Sequence, residues 1–391
     1  MRTLHSLLVL GIAAPLLALL SFGCSSSDSS GTVPPTSSDA AADAPDAATE
    51  AAADVTLDGS GDDAKVDDAA ADADTPADGG YPAPTPTDIQ YEALAPLPQG
   101  EQLVFNDWMA SPNELISMKP DGTGVTKIFR VLRIWSFGVA HQGDRIAFSC
   151  GDPNQEAHYG ISIGDAIQHT WLYDVTTQTI DLQAYGNIND ECHTFGPDET
   201  KLYVCRRYDF TQAGDFKGWR IGRIDLATKA FEFLTPDLVH TYDLYPQPLP
   251  DESSMLFGRI VANPPNPQEV SVQQMPLPSG SAALVRDDGG SPVLSPDGTR
   301  YVFQKTADGR ALYSSKLDGS DEVKLSDAAG TDPAWSPDGT RLAYLSWDSA
   351  ANCSHIDIVA TDGSQASAPV RVRDCSTSGE FISQLAWVVR P

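Results

Sequence analysis

The sequence predicts an all-β protein: a ring of six four-stranded antiparallel sheets, closed by the C-terminal strand and preceded by a disordered tether. Two observations carry this. "LSPDGTRYVFQ" (294–304) and "WSPDGTRLAYLS" (335–346) are near copies, and internal repetition at this period marks a modular fold. The aromatic residues lie almost entirely beyond Tyr91, whereas Ala, Asp, Ser, Thr, Pro and Gly dominate residues 25–95.

The start, "MRTLHSLLVLGIAAPLLALLSFGC", has Arg2, an apolar stretch from Leu7 to Leu20 and then small residues. This is the pattern of an export signal over residues 1–23. Its end, Leu20-Ser21-Phe22-Gly23-Cys24, resembles a lipobox, which implies lipidation of Cys24. The apolar run falls short of the ~20 residues that span a bilayer core. Ser25 after the cysteine resembles the outer-membrane sorting pattern.

Residues 24–95 form the expected linker. Sixteen acidic residues stand against one lysine, Lys65, within a chain of net charge −29. Such a segment cannot bury enough apolar surface to fold, and as a flexible chain it spans about 45 Å. The run "DGSGDDAKVDD" lacks the glutamate that completes a calcium loop. The acidic balance also argues against nucleic acid as a partner.

From residue 96 onward the repeat takes over. In "SPDGT" the proline presets φ, the aspartate bonds nearby backbone N–H groups and the glycine accepts φ > 0. Pro296, Asp297 and Gly298, like Pro337, Asp338 and Gly339, are therefore assigned to hairpin turns. The flanks "RYVFQ" and "RLAYLS" read as strands, and Asp-Gly turns at Asp318-Gly319 and Asp362-Gly363 add a second strand pair to each repeat. Weaker copies place the turn position at Gly143, Glu199 and Glu252, with spacings of 56, 53, 46 and 41 residues up to Gly339. "EQLVFNDW" and "ELISMKPDGTGVTKIFR" supply only three strands, and "SQLAWVVRP" supplies one more. That last strand should close the ring, which protects sheet edges.

The Pro-Asp-Gly hairpins, the third strands before Asp-Gly and the terminal "LAWVV" resemble the six-bladed β-propeller domain of the TolB family, over about residues 96–391. The separate N-terminal domain of that family is missing, and partner contacts that depend on it are not carried over. The resemblance implies a scaffold and leaves its ligand open.

The loops after each second strand and the entrances to each first strand should share one variable face. It carries the insertions 150–170, 206–219 and 262–270, and loops on rigid sheets commonly carry function. The candidate binding residues are His158, His169, His193, Tyr208, Trp219 and Asp332. "GISIG" places Ser162 in a Gly-x-Ser-x-Gly motif without the strand, helix and partners that a nucleophile elbow requires. His193, with Asp190, Glu191 and His240, is a candidate divalent-cation set. In an oxidising compartment the expected disulfides are Cys150–Cys192 and Cys353–Cys375.

The expected function is that of an outer-membrane lipoprotein, facing the periplasm or the cell surface. It is monomeric, anchored to the membrane by lipid and acts as a protein-binding scaffold for an envelope partner. No cofactor motif is present and no catalytic set is assigned. The alternative is a metal-dependent hydrolase or lyase acting on carbohydrate or peptide in the channel.

Overall fold

The computed structural model describes residues 82–391 apart from 109, 153, 155–166, 209–217, 263–267 and 376–380. The signal segment, Cys24, most of the tether, His158 and Ser162 lie outside the described residues.

The strands follow the repeat. A short edge strand β1 (Glu92–Ala93) precedes β2 (Gly100–Asp107), β3 (Asn113–Met118) and β4 (Thr126–Val131). Blade 2 is β5 (Ser136–Val139), β6 (Arg145–Gly151), β7 (Gln168–Asp174) and β8 (Thr179–Ala184). Blade 3 is β9 (Ile188–Phe195), β10 (Lys201–Tyr208), β11 (Arg220–Asp225) and β12 (Phe231–Phe233). Blade 4 contains β13 (Thr241–Pro248), β14 (Ser254–Val261), β15 (Glu269–Pro276) and β16 (Ala283–Arg286). Blade 5 contains β17 (Gly289–Leu294), β18 (Arg300–Lys305), β19 (Ala311–Lys316) and β20 (Val323–Ala329). Blade 6 is β21 (Thr331–Trp335), β22 (Arg341–Asp348), β23 (Cys353–Ala360) and β24 (Val370–Arg373), after which β25 (Ile382–Arg390) ends the chain.

Each blade is an antiparallel meander, and β25 supplies the innermost strand of blade 1, as the strand count requires. It pairs with β2 from Gly100↔Arg390 to Asp107↔Ile382. The first and last folded segments are thus hydrogen-bonded to each other, which closes the ring.

Bonds between blades run around the whole ring. Phe137 N–H donates to Gln384 Oε1 at 2.7 Å, Ser136 meets His193, and Trp219 bridges to Tyr242. Leu294 N–H donates to Gln247 Oε1 at 3.1 Å, and the Trp335 indole donates to Val293 O at 3.1 Å. Glu101 accepts from both Arg341 and the Trp387 indole, at 2.7 and 2.8 Å. The cores lie between sheets: one joins Val104, Phe129, Phe148 and Trp171 across blades 1 and 2, and another joins Leu103, Ile116, Leu345 and Trp387 across blades 6 and 1. Apolar burial therefore holds blades to one another.

The folded body begins earlier than residue 96. Ile89 is wholly buried in the blade 1–2 core with Tyr91 packed against it, the Tyr91 hydroxyl donates to Gln178 O at 2.6 Å, and β1 pairs with β4. These apolar residues cover the outer edge of blade 1, where a bare edge would be a liability.

All five turn positions predicted from the repeat are left-handed: Gly143, Glu199, Glu252, Gly298 and Gly339 have φ between 52° and 71°. In blade 5, Asp297 accepts from Ser295 Oγ, Thr299 N and Thr299 Oγ1. Asp338 does the same for Ser336 and Thr340 in blade 6. The two glycines differ in surroundings. A Cβ on Gly298 would sit 2.5 Å from Pro250 Cδ in the neighbouring turn, whereas one on Gly339 would meet nothing within 4 Å. Gly339→Val should therefore cost about 1 kcal/mol from backbone strain alone, and Gly298→Val about 1–3 kcal/mol more through the clash. Equal urea midpoints for the two variants would contradict this.

Candidate binding face and its buried support

Five of the six innermost strands contain a left-handed residue at a break in register: Cys192, Tyr245, Ser291, Asp332 and Gln384. Bulges of this kind re-aim side chains. Three of them precede proline, at Pro246, Pro292 and Pro333, each four residues before the turn prolines Pro250, Pro296 and Pro337. That spacing was readable in the sequence and marks the bulge.

The acidic side chains on the innermost strands are largely compensated. Asp243 accepts two hydrogen bonds from the Arg259 guanidinium, at 2.7 and 2.9 Å. Burial raises the Asp332 carboxyl above its usual range. Burial also pushes Glu191 up to about 8, so that it is largely protonated at neutral pH.

Blade 3 anchors a buried polar network. Asp190 and Arg206 face each other across β9 and β10, with two bonds at 2.6 and 2.7 Å, and the guanidinium lies 3.5 Å from the centre of the Phe231 ring. Thr170 donates to Asp190 Oδ2 at 2.7 Å. His193 is next, with Nε2 3.2 Å from Thr170 Oγ1 and Nδ1 3.0 Å from Ser136 Oγ. Since the Thr170 proton goes to Asp190, Nε2–H donates to Thr170 and Nδ1 accepts from Ser136. Both ring nitrogens are engaged, so His193 offers no open nitrogen to a metal. Its proposed companion His240 is exposed, in a left-handed turn before β13. Among the described residues the group with metal-ligand spacing is Cys353, His355 and Cys375, whose sulfurs are joined to each other.

His169 is wholly buried beside this network. Burial lowers both His169 and His193 to about 4, so each is neutral at pH 7. Trp219 is buried at the blade 3–4 boundary, and Tyr208 ends β10 opposite Ile188. The set expected to form one binding face is therefore split: His169 and His193 come together below the surface, Trp219 packs into a boundary, and Asp332 sits on the innermost strand of blade 6.

The cysteines rearrange in part. Cys353 and Cys375 are bonded across blade 6. Cys150 is not joined to Cys192, because its side chain points into the core shared with blade 1 while Cys192 sits in the bulge of β9 next to Cys205, whose thiol burial pushes well up.

These groups predict opposing pH effects. For the two histidines the folded value lies below the unfolded one of about 6.5. Their stabilising neutrality is complete above that pH and is lost as pH falls towards 4, by about 2 kcal/mol apiece at pH 5. For Glu191 the folded value is raised, so its contribution is complete below about 4.5 and is lost as pH rises through 8. Glu191→Gln should therefore be more stable than the parent chain at pH 8, by about 4 kcal/mol, with little gain at pH 4.5. Urea denaturation of both chains at the two pH values checks this, and a gain at pH 4.5 as large as at pH 8 would contradict it.

The variable face holds what the sequence reading missed, running from exposed Trp347 to buried Trp135. Trp347 at the end of β22, Phe381 before β25, Trp108 after β2 and Trp135 before β5 form a continuous aromatic chain, with ring centres 5.6, 5.8 and 5.5 Å apart in that order. The Arg133 guanidinium lies 5.9 Å from both Trp108 and Trp135. Trp347 is 47% exposed. On the opposite face a hollow of about 360 Å³ opens between the two Ser-Pro-Asp-Gly-Thr turns; residues that shape the hairpins line it.

Comparison with known proteins places the architecture. TolB from Acinetobacter baumannii superposes with a TM-score of 0.54 at 16% identity, over 74% of this chain and 67% of that one. The fold is a TolB-like β-propeller. Hydrazine synthase from Kuenenia stuttgartiensis shares it at a TM-score of 0.56 and 10% identity, over 75% of this chain and 47% of that one. At such identities the likeness shows the fold alone. An uncharacterized peptidase, YuxL of Bacillus subtilis, is 32% identical over 84 residues, which is 19% of this chain and only 13% of that protein's length. No family model matches the chain. Among the described residues of the TolB-like propeller, no helix is long and apolar enough to cross a membrane.

Proposed function

We propose that the chain is an extracytoplasmic lipoprotein, exported through residues 1–23 and lipidated at Cys24, whose propeller binds an envelope protein through the variable face of blades 6, 1 and 2. The observation that carries this reading is the chain Trp347–Phe381–Trp108–Trp135 with Arg133 beside it. Tryptophan and arginine dominate the energetic centres of protein interfaces. They bury large areas at small cost in rotamer freedom and keep a polar handle.

The linker would hold this face near the membrane at high effective concentration for a neighbouring partner. The outer membrane is the proposed site and the monomer the proposed state. The full-length chain, cross-linked in its native envelope, should recover one protein reproducibly. Trp108→Ala combined with Trp347→Ala should reduce that recovery at least tenfold without lowering the melting temperature by more than a few degrees. Cys24→Ala should shift the chain from the membrane to the soluble fraction. Recovery unaffected by the tryptophan pair would remove this face from the interaction.

A further inference from the structure

We propose that Cys192 and Cys205 are a site of thiol oxidation, closing a disulfide across the first hairpin of blade 3 when they meet an oxidant of the disulfide class. Both stand as free thiols in the structure. Cys205 pairs with Glu191, the residue before Cys192. In an unbroken ladder, alternation would send Cys192 to the opposite face from Glu191 and Cys205. That is the face of Val204, which is buried in the core shared with blade 2. The ladder is broken there: Tyr203 pairs with Thr194 and Cys205 with Glu191, so Val204 alone stands across from Cys192 and His193. Cys192 is left-handed at this point, with φ 57°. The bulge re-aims its side chain, and the two thiols meet in a hydrogen bond.

A second observation is independent of that bulge. The innermost strand of blade 4 breaks register between Leu244 and Gln247, and the Tyr245 N–H donates to the Cys205 sulfur. Burial holds Cys205 as the thiol, and a backbone N–H aimed at its sulfur supports the negative charge that exchange requires there. The other cysteines are committed elsewhere. Cys353 and Cys375 are joined to each other, and the Cys150 thiol donates to Gly151 O within the blade 1–2 core.

Cys192 is 9% exposed and Cys205 wholly buried, so exchange begins at Cys192. Its thiolate, one proton lost, attacks a sulfur of the oxidant, forms a mixed disulfide and expels one thiolate. Cys205 then gives up its proton and attacks Cys192 Sγ, which forms the protein S–S bond and expels the second thiolate. Two protein thiols are oxidised, and the oxidant's disulfide is reduced to two thiols that take up the two protons. In the cell the step rests on the proposed export to an oxidising compartment.

The test uses the full-length chain, purified from its native envelope with free thiols alkylated in denaturant and digested without reduction by trypsin and a glutamate-specific protease. Cleavage after Glu156 separates Cys150 from Cys192, which trypsin alone leaves on one peptide. Mass spectrometry should find the Cys192 peptide joined to the Cys205 peptide, with Cys150 alkylated and Cys353–Cys375 intact. Cys192 and Cys205 both alkylated beside an intact Cys353–Cys375 bond, or either of them joined to Cys150, would overturn the proposal. If Cys353 and Cys375 are alkylated as well, what has failed is the export reading, and oxidised glutathione added to the purified chain before alkylation decides the pair. A Cys192–Cys205 linkage then supports the site, and two alkylated thiols overturn it.

Discussion

Replacing Asp190 with alanine is expected to destabilise the propeller by about 3–5 kcal/mol, because it strands a buried guanidinium. Asp190 is fully buried and Arg206 nearly so, and the same carboxylate accepts from Thr170. Breaking this pair also unties the link from blade 3 through Thr170 and His193 to Ser136 in blade 2. A double substitution, Asp190→Leu with Arg206→Met, should cost much less than the sum of the two single changes, since it leaves no charge behind. Urea denaturation of the three variants measures this. A loss below 1 kcal/mol for Asp190→Ala would mean that water reaches the pair.

The second large effect concerns closure. Removal of residues 382–391 deletes the innermost strand of blade 1 and with it the buried side chains of Ile382, Trp387 and Val388. Each large buried side chain is worth about 2–4 kcal/mol, so the deletion consumes most of the 5–15 kcal/mol that stabilises an ordinary fold. It also bares the edge of β2. The truncated chain is expected to aggregate or to lose its cooperative melting transition. Trp387→Ala alone should cost about 3–5 kcal/mol, as it also removes the indole bond to Glu101 and the stacking of Arg341. A truncated chain melting cooperatively within a few degrees of the intact one would show that the ring does not depend on β25.

The scaffold was legible because its information is local and repeated. The ordered run Pro-Asp-Gly dictates the hairpin turns at Gly298 and Gly339, and the weaker copies with Glu199 and Glu252 still adopt the left-handed turn. The closing strand was legible by counting. Local repetition also held signals that went unread: Asp190 and Arg206, like Asp243 and Arg259, are separated by 16 residues, which places each pair face to face across the first hairpin of its blade.

The candidate face is a different kind of object. Trp108 and Phe381 lie near opposite ends of the folded chain and meet because β25 returns to β2. No pattern along the sequence announces such a contact. Residue type misled in the same way. His193 looked available because histidine binds metals, yet its threonine and serine neighbours occupy both nitrogens. His169 looked like its equal, yet only its Nε2 is engaged, by the backbone of Gly186. Cys150 and Cys192 looked like partners because both lie towards the same face, but alternation along β6 turns Cys150 into the blade 1 core.

The most direct test of the binding role is a photoreactive amino acid at position 347, with a control at Val125, which is 52% exposed in the β3–β4 connection on the opposite face. After irradiation in intact cells, position 347 should yield one discrete adduct with an envelope protein, lost when Trp108 is also changed to alanine, and position 125 should yield none. The same adducts from both positions, or no adduct at 347 while the chain is folded and membrane-bound, would contradict a partner-binding role for this face.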